Sequence, residues 1–163
     1  MTKTDKSKHN ICIAAIKRHT MKPYDFKWTK FYESNAEFPY TALPLQLAEN
    51  ELFICSTMID ADNYSILTTR RIITTEKGET NAGSIEGAAH ETYGDFKGLR
   101  DKKPFTFGQI LLYNGTNFKY FIETGKASMV MIHGIRTLIG TQQMTNTQME
   151  NLPKIWNKKS EQS

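Results

Sequence analysis

Carboxylates two residues apart in a turn can offer oxygens to a hard cation, and an imidazole beside a glutamate can pass protons. Asp60 and Asp62, with His90, Glu91 and Asp95, are therefore the residues of this chain best suited to metal or acid–base chemistry. Their surroundings argue for a plainer role. No second His follows His90 four residues on, so the zinc-protease pattern is missing. The stretch from Asp60 to Asn63 lacks the ligand ladder and closing Glu of a calcium loop. Asp and Asn also occupy turns because their side chains bond the local backbone, and a turn is the expectation here. Cys12, His9 and His19 could begin a thiolate–imidazole site. Closing it needs Cys55 from a different element, and there is no C-x-x-C pair. The expectation is no metal, no cofactor and no catalytic set. A small enzyme or metal site at Asp60/Asp62/His90/Glu91 stays as an alternative.

A second group of candidates is basic. Lys22, Lys27 and Lys30 alternate with Tyr24, Phe26, Trp28, Phe31 and Tyr32. Stacking surfaces interleaved with cations are what a nucleic-acid or anionic-lipid contact needs, and Lys22, Lys27, Trp28 and Lys30 are its candidate residues. The competing expectation is that the aromatics cover a sheet. Arg70 and Arg71 are adjacent, which on a strand puts one guanidinium on each face. With His133 and Arg136 they are the candidate ligand contacts. The glycines at 83, 87, 94 and 98 match no phosphate-loop spacing and are read as bends and bulges.

The elements that must position these residues follow from periodicity. A helix over 8–20 precedes Pro23, with His9, Cys12, Ile13, Ile16 and His19 on one face. The alternation at 24–28 predicts a strand, and the prolines of 34–44 a connector. Strands are predicted over 52–59 and, as one continuous run, over 64–75, with the turn Asp60–Asn63 between them. The segment 79–98 predicts one or two irregular strands anchored by Ile85 and by 93–96. Asn114-Gly115 predicts a type I′ hairpin between strands over 107–113 and 117–123. A helix over 126–139 carries the apolar sector Ala127, Val130, Met131, Gly134, Ile135 and Leu138, with His133 and Arg136 opposite. Gly134 in mid-sector implies close approach to the sheet, and Gly140 is read as the stop.

Composition sets the frame. The 163 residues suit a single folded unit with an appendage, and 39% hydrophobic with 23% charged residues is ordinary for a globular protein. Two widely spaced cysteines favour a reducing, cytoplasmic setting over a disulfide framework. The apolar run 11–16 is too short for a signal-peptide core or a membrane span. The net charge of +4 is uneven: residues 1–30 hold eight Lys/Arg against two Asp/Glu, whereas 31–150 hold ten against fourteen.

Three stretches together resemble a bacterial PH-like (pleckstrin-homology-like) domain: Leu47-Ala-Glu-Asn-Glu-Leu-Phe-Ile54, Tyr64-Ser-Ile-Leu-Thr-Thr-Arg-Arg-Ile-Ile73, and Ile122-Glu-Thr-Gly-Lys126 running into one closing helix. The resemblance covers about 45–140. It implies an α+β fold, mainly antiparallel β: a curved sheet or partly open barrel capped by a C-terminal helix. The division it suggests is 1–44 (helix, aromatic strand and connector), 45–142 (the PH-like domain) and 143–163 (a polar tail). It also implies binding of phosphoinositides, peptides or proteins. The acidic turn at Asp60–Asn63 departs from the basic first loop of lipid-binding members and disfavours a phosphoinositide. The expected function is a non-enzymatic binding or scaffold domain with a protein or peptide partner. The alternative is anionic lipid or nucleic acid held by the basic N-terminal region.

Overall fold

The structure, a computed structural model, describes residues 4–143. The expected tail beyond 143 lies outside the described residues.

Helix α1 spans Asp5–His19, and the hydroxyl of its N-cap Thr4 accepts the Ser7 N–H at 3.1 Å. A five-stranded antiparallel sheet follows, in the order β1 (Thr29–Phe31), β2 (Phe53–Asp60), β3 (Asn63–Thr68), β4 (Ile72–Glu76), β5 (Glu79–Gly83). A three-stranded antiparallel sheet holds β6 (Ala88–Thr92), β7 (Phe105–Leu112) and β8 (Asn117–Glu123). A 3-10 turn at Gly125–Ala127 leads into α2, Ser128–Gly140. The fold is α+β with two antiparallel sheets and a helix at each end. The two sheets do not close into a barrel.

Three local predictions change for physical reasons. The run 64–75 is two strands, because the chain reverses at Thr69-Arg70-Arg71. The Thr68 hydroxyl accepts the N–H groups of both Arg70 and Arg71, at 3.1 Å each, and so turns the chain inside a β-rich stretch. Residues 24–28 are not a strand. Glu123 of β8 accepts the Lys27 and Trp28 N–H groups at 3.1 and 2.8 Å, so a carboxylate rather than a ladder satisfies them. The β7–β8 loop is the four residues 113–116, not a type I′ pair. Leu112 N–H bonds the Thr116 carbonyl at 2.8 Å, and within the loop only Gly115 takes positive φ. The paired positive φ of a type I′ turn occurs instead at Lys77 and Gly78, between β4 and β5. Gly140 is not a stop, since helical backbone continues through 141–143.

The core has two parts because both faces of the five-stranded sheet are covered. On β3, Leu67 joins the cluster containing Ile16, Ile122, Val130 and Ile135, while its neighbour Ile66 joins Tyr32, Phe38, Phe53 and Tyr64. The connector supplies Phe38, stacked on Phe53 at 3.8 Å. Gly134 lets α2 press on the sheet: a Cβ there would meet Cys55 Sγ at 3.0 Å and Leu67 Cδ2 at 3.2 Å. Helix α1 packs on α2 and β2, burying Ile11, Cys12, Ile13 and Ile16 in this same core. Ile132, outside the predicted sector of α2, is also buried in this core.

Candidate functional site

The adjacent arginines do not flank a sheet. They leave the β3–β4 turn in two directions, and each meets carboxylates of its own chain. Arg70 donates to both oxygens of Asp5, at 3.1 and 2.9 Å, and to the Glu49 carbonyl at 2.9 Å. Arg71 donates to Glu51 Oε2 at 2.9 Å and to the Gln46 carbonyl at 2.7 Å. Glu51 is buried and also accepts the Thr68 hydroxyl at 2.5 Å and the Ala48 N–H at 2.9 Å. Burial pushes both carboxyls up, but their hydrogen bonds to Arg70 and Thr69 (Asp5), and to Arg71, Thr68 and Ala48 (Glu51), outweigh it and hold them below the ordinary range. The turn therefore ties the start of α1 and the approach to β2 together.

The acidic candidates do not converge. In the β2–β3 turn, Asp60 Oδ1 accepts the Asp62 N–H at 2.8 Å and the Asn63 side-chain amide at 3.0 Å. His90 and Glu91 lie on β6, in the other sheet, with His90 exposed. Asp95 accepts the backbone N–H groups of Arg100 and Asp101 at 3.2 and 2.8 Å. Cys12 and Cys55 are buried free thiols, and burial raises both of them. His9 Nε2 bonds the Tyr32 carbonyl at 2.8 Å, and His19 lies elsewhere. Among the described residues, no three His, Cys, Asp or Glu gather as metal ligands.

The imidazole of His19, ending α1, stacks on that of His133 in α2 with centroids 3.6 Å apart and planes within 8°. Burial first, then the neighbouring cations, favours neutral rings: His133 is brought down to about 4 by burial, His19 and Arg136, and His19 is lowered by burial, Arg18 and Arg136. His133 is thus occupied at the helix interface, and Arg136 lies exposed beside it.

The lysine–aromatic segment forms a concavity. A cleft of about 530 Å³, a size that suits ligand binding, is lined by Lys17, Lys22, Tyr24, Phe26, residues 29–33 and Glu37. Tyr24 meets Phe31 edge to face at 4.9 Å. Lys17 pairs with Glu33, whereas Lys22 and Lys30 are exposed and have no carboxylate partner among the described residues. Lys27 and Trp28 are outside the cleft: Lys27 lies over the Trp28 ring at 4.7 Å, and Trp28 packs edge-on to Phe105 of β7. Of the four residues expected to meet nucleic acid or lipid, two share the cleft and two do not. Lys17, Glu33 and Glu37 were not foreseen, because they reach the cleft from two places, Lys17 from the end of α1 and the glutamates from the chain after β1.

Comparison with family models, curated proteins and solved structures finds no match for the chain. No helix among the described residues is long and apolar enough to cross a membrane.

Proposed function

We propose that the chain is a non-enzymatic binding or scaffold domain of PH-like architecture whose work is recognition of a protein or peptide. The architecture is supported by strand order: a four-stranded meander, β2 to β5, then a three-stranded meander, β6 to β8, then the single helix α2. On this reading β1 and α1 are additions to the plan. The two buried free cysteines support a reducing, cytoplasmic setting. The observation that carries the recognition role is the cleft beside β1, an aromatic-walled concavity with lysines at its rim.

The test is quantitative crosslinking of the purified chain in lysate of its native cells. A recurrent protein partner, competed by unlabelled chain, is the expected result. Repeated absence of any protein partner, with turnover of a small metabolite by the purified chain, would sink the reading.

The other reading, an anionic membrane or nucleic acid held by the basic segment, draws support from residues 17–32, where five Lys/Arg face one Asp. Removing residues 1–30 would be a poor test, since it strips Ile11, Ile13 and Ile16 from the core. Charge reversal at Lys22, Lys27 and Lys30 with a salt titration is the sharper one. Vesicle or oligonucleotide binding that survives the reversal eliminates it.

A further inference from the structure

We infer that the cleft receives an acidic peptide segment of a partner protein, laid in extended form along the outer edge of β1. This rests on the recognition reading above and goes further by naming the edge and the chemistry.

The geometry starts with register. Lys30 pairs with Ser56, the Tyr32 N–H bonds the Ile54 carbonyl at 2.9 Å, and the Met58 N–H bonds the Trp28 carbonyl at 2.9 Å. In an antiparallel ladder the bonding residues alternate, so 28, 30 and 32 face β2 and the backbone groups of Thr29 and Phe31 point the other way. β1 is the terminal strand of its sheet. Residues 29–33 line the cleft consecutively. Successive side chains of a strand point to opposite faces, so an unbroken run of five lining residues means that the edge itself borders the cleft. Thr29 itself is buried, so an added strand would find its backbone donor and acceptor at the half-buried Phe31.

Side chains set the chemistry. Lys22 and Lys30 flank the edge without carboxylate partners among the described residues. Tyr24, Phe26 and Phe31 give the cleft an apolar wall, and the Lys30 ammonium lies over the Tyr40 ring at 5.9 Å. Carboxylates on alternate positions of an extended peptide could meet the lysines while an apolar residue between them meets the wall. Glu33 is paired with Lys17, so Lys22 and Lys30 are the lining cations left without a carboxylate among the described residues. The concave shape is a poor match for a flat lipid surface.

The experiment uses the full chain on an array of random decapeptides grouped as net acidic, neutral and net basic, with Lys22→Glu/Lys30→Glu as the variant. Both substitutions are at exposed positions, and far-UV circular dichroism with thermal melting verifies that the variant folds. Acidic peptides are expected to dominate the bound set, to lose about tenfold or more in affinity on the double variant, and to lose binding when alternate backbone nitrogens are methylated. Three results would overturn the inference: no preference for acidic peptides, acidic binding unchanged in the folded variant, or binding indifferent to N-methylation. Single-stranded oligonucleotide or phosphatidylserine vesicles, run in parallel, would also overturn it if they bound through the same lysines while peptides did not. A partner crosslinked at a site away from the cleft leaves the recognition reading standing and removes this one.

Discussion

The β3–β4 turn and the cleft beside β1 are both basic, and the chain uses their charge differently. At the turn, Arg70 and Arg71 each meet a carboxylate of the same chain and a backbone carbonyl. At the cleft, Lys17 is paired but Lys22 and Lys30 are not. A satisfied cation is part of the scaffold, and removing its partner costs stability. A solvated cation beside apolar wall costs little to leave alone and can exchange water for a ligand. Helix α1 runs between the two regions. Asp5 at its start joins the turn, and Lys17 near its end joins the cleft. Its hold on the molecule is mainly apolar: a fully buried Ile contributes about 1.5–3 kcal/mol, against about 0–1 for an exposed ion pair. Asp5 and Arg70 therefore orient the helix more than they retain it.

The largest effect is expected at Glu51. Glu51→Ala leaves Arg71 and the Thr68 hydroxyl without their acceptor, and about 3 kcal/mol of stability should be lost in urea unfolding. A loss near zero would mean that the turn is as idle as a surface pair.

Acid should act at the far end of α1. The folded state holds His19 and His133 neutral, while the unfolded chain takes up protons near pH 6.5. The unfolded state binds more protons from there down to about pH 4, so stability rises with pH across that window and falls on acidification. After allowance for solvent, the fall should be on the order of 1 kcal/mol, read as a melting temperature that drops between those pH values and drops less in His133→Gln. Below that window Asp5 and Glu51 act in the same direction. Their lowered folded values stabilise the fold above the ordinary carboxylate range and stop doing so as pH falls through the folded values.

Asp5→Asn should cost about 1 kcal/mol or less, with α1 still helical by hydrogen exchange. Exchange of the whole helix at the rate of a frayed terminus would show that the charge, not the isoleucines, retains it. The smallest effect on stability belongs to the cleft. Lys22→Glu/Lys30→Glu should stay within about 0.5 kcal/mol of the parent in the same urea assay. A larger loss would place those lysines with the arginines, as scaffold.

Much of the secondary structure was legible locally. Amphipathic spacing placed both helices, and Gly134 announced a close approach that Cys55 and Leu67 confirm. The strand of 64–75 was misread because Thr68 and Thr69 have high β propensity, while the bonds that reverse the chain are made by one threonine hydroxyl. Residues 24–28 alternate like a strand, yet the Lys27 and Trp28 amides are taken by Glu123, some 95 residues away.

Which segments could be buried and where charge would collect follow from periodicity and composition, which act over a few residues. Which of those charges stay available depends on contacts between distant parts of the chain. Asp5 reaching Arg70, Glu51 reaching Arg71 and His19 reaching His133 are meetings across 65, 20 and 114 residues. No local pattern encodes a partner at that distance. Core packing sets it, and the same packing leaves Lys22 and Lys30 at the rim of a cleft.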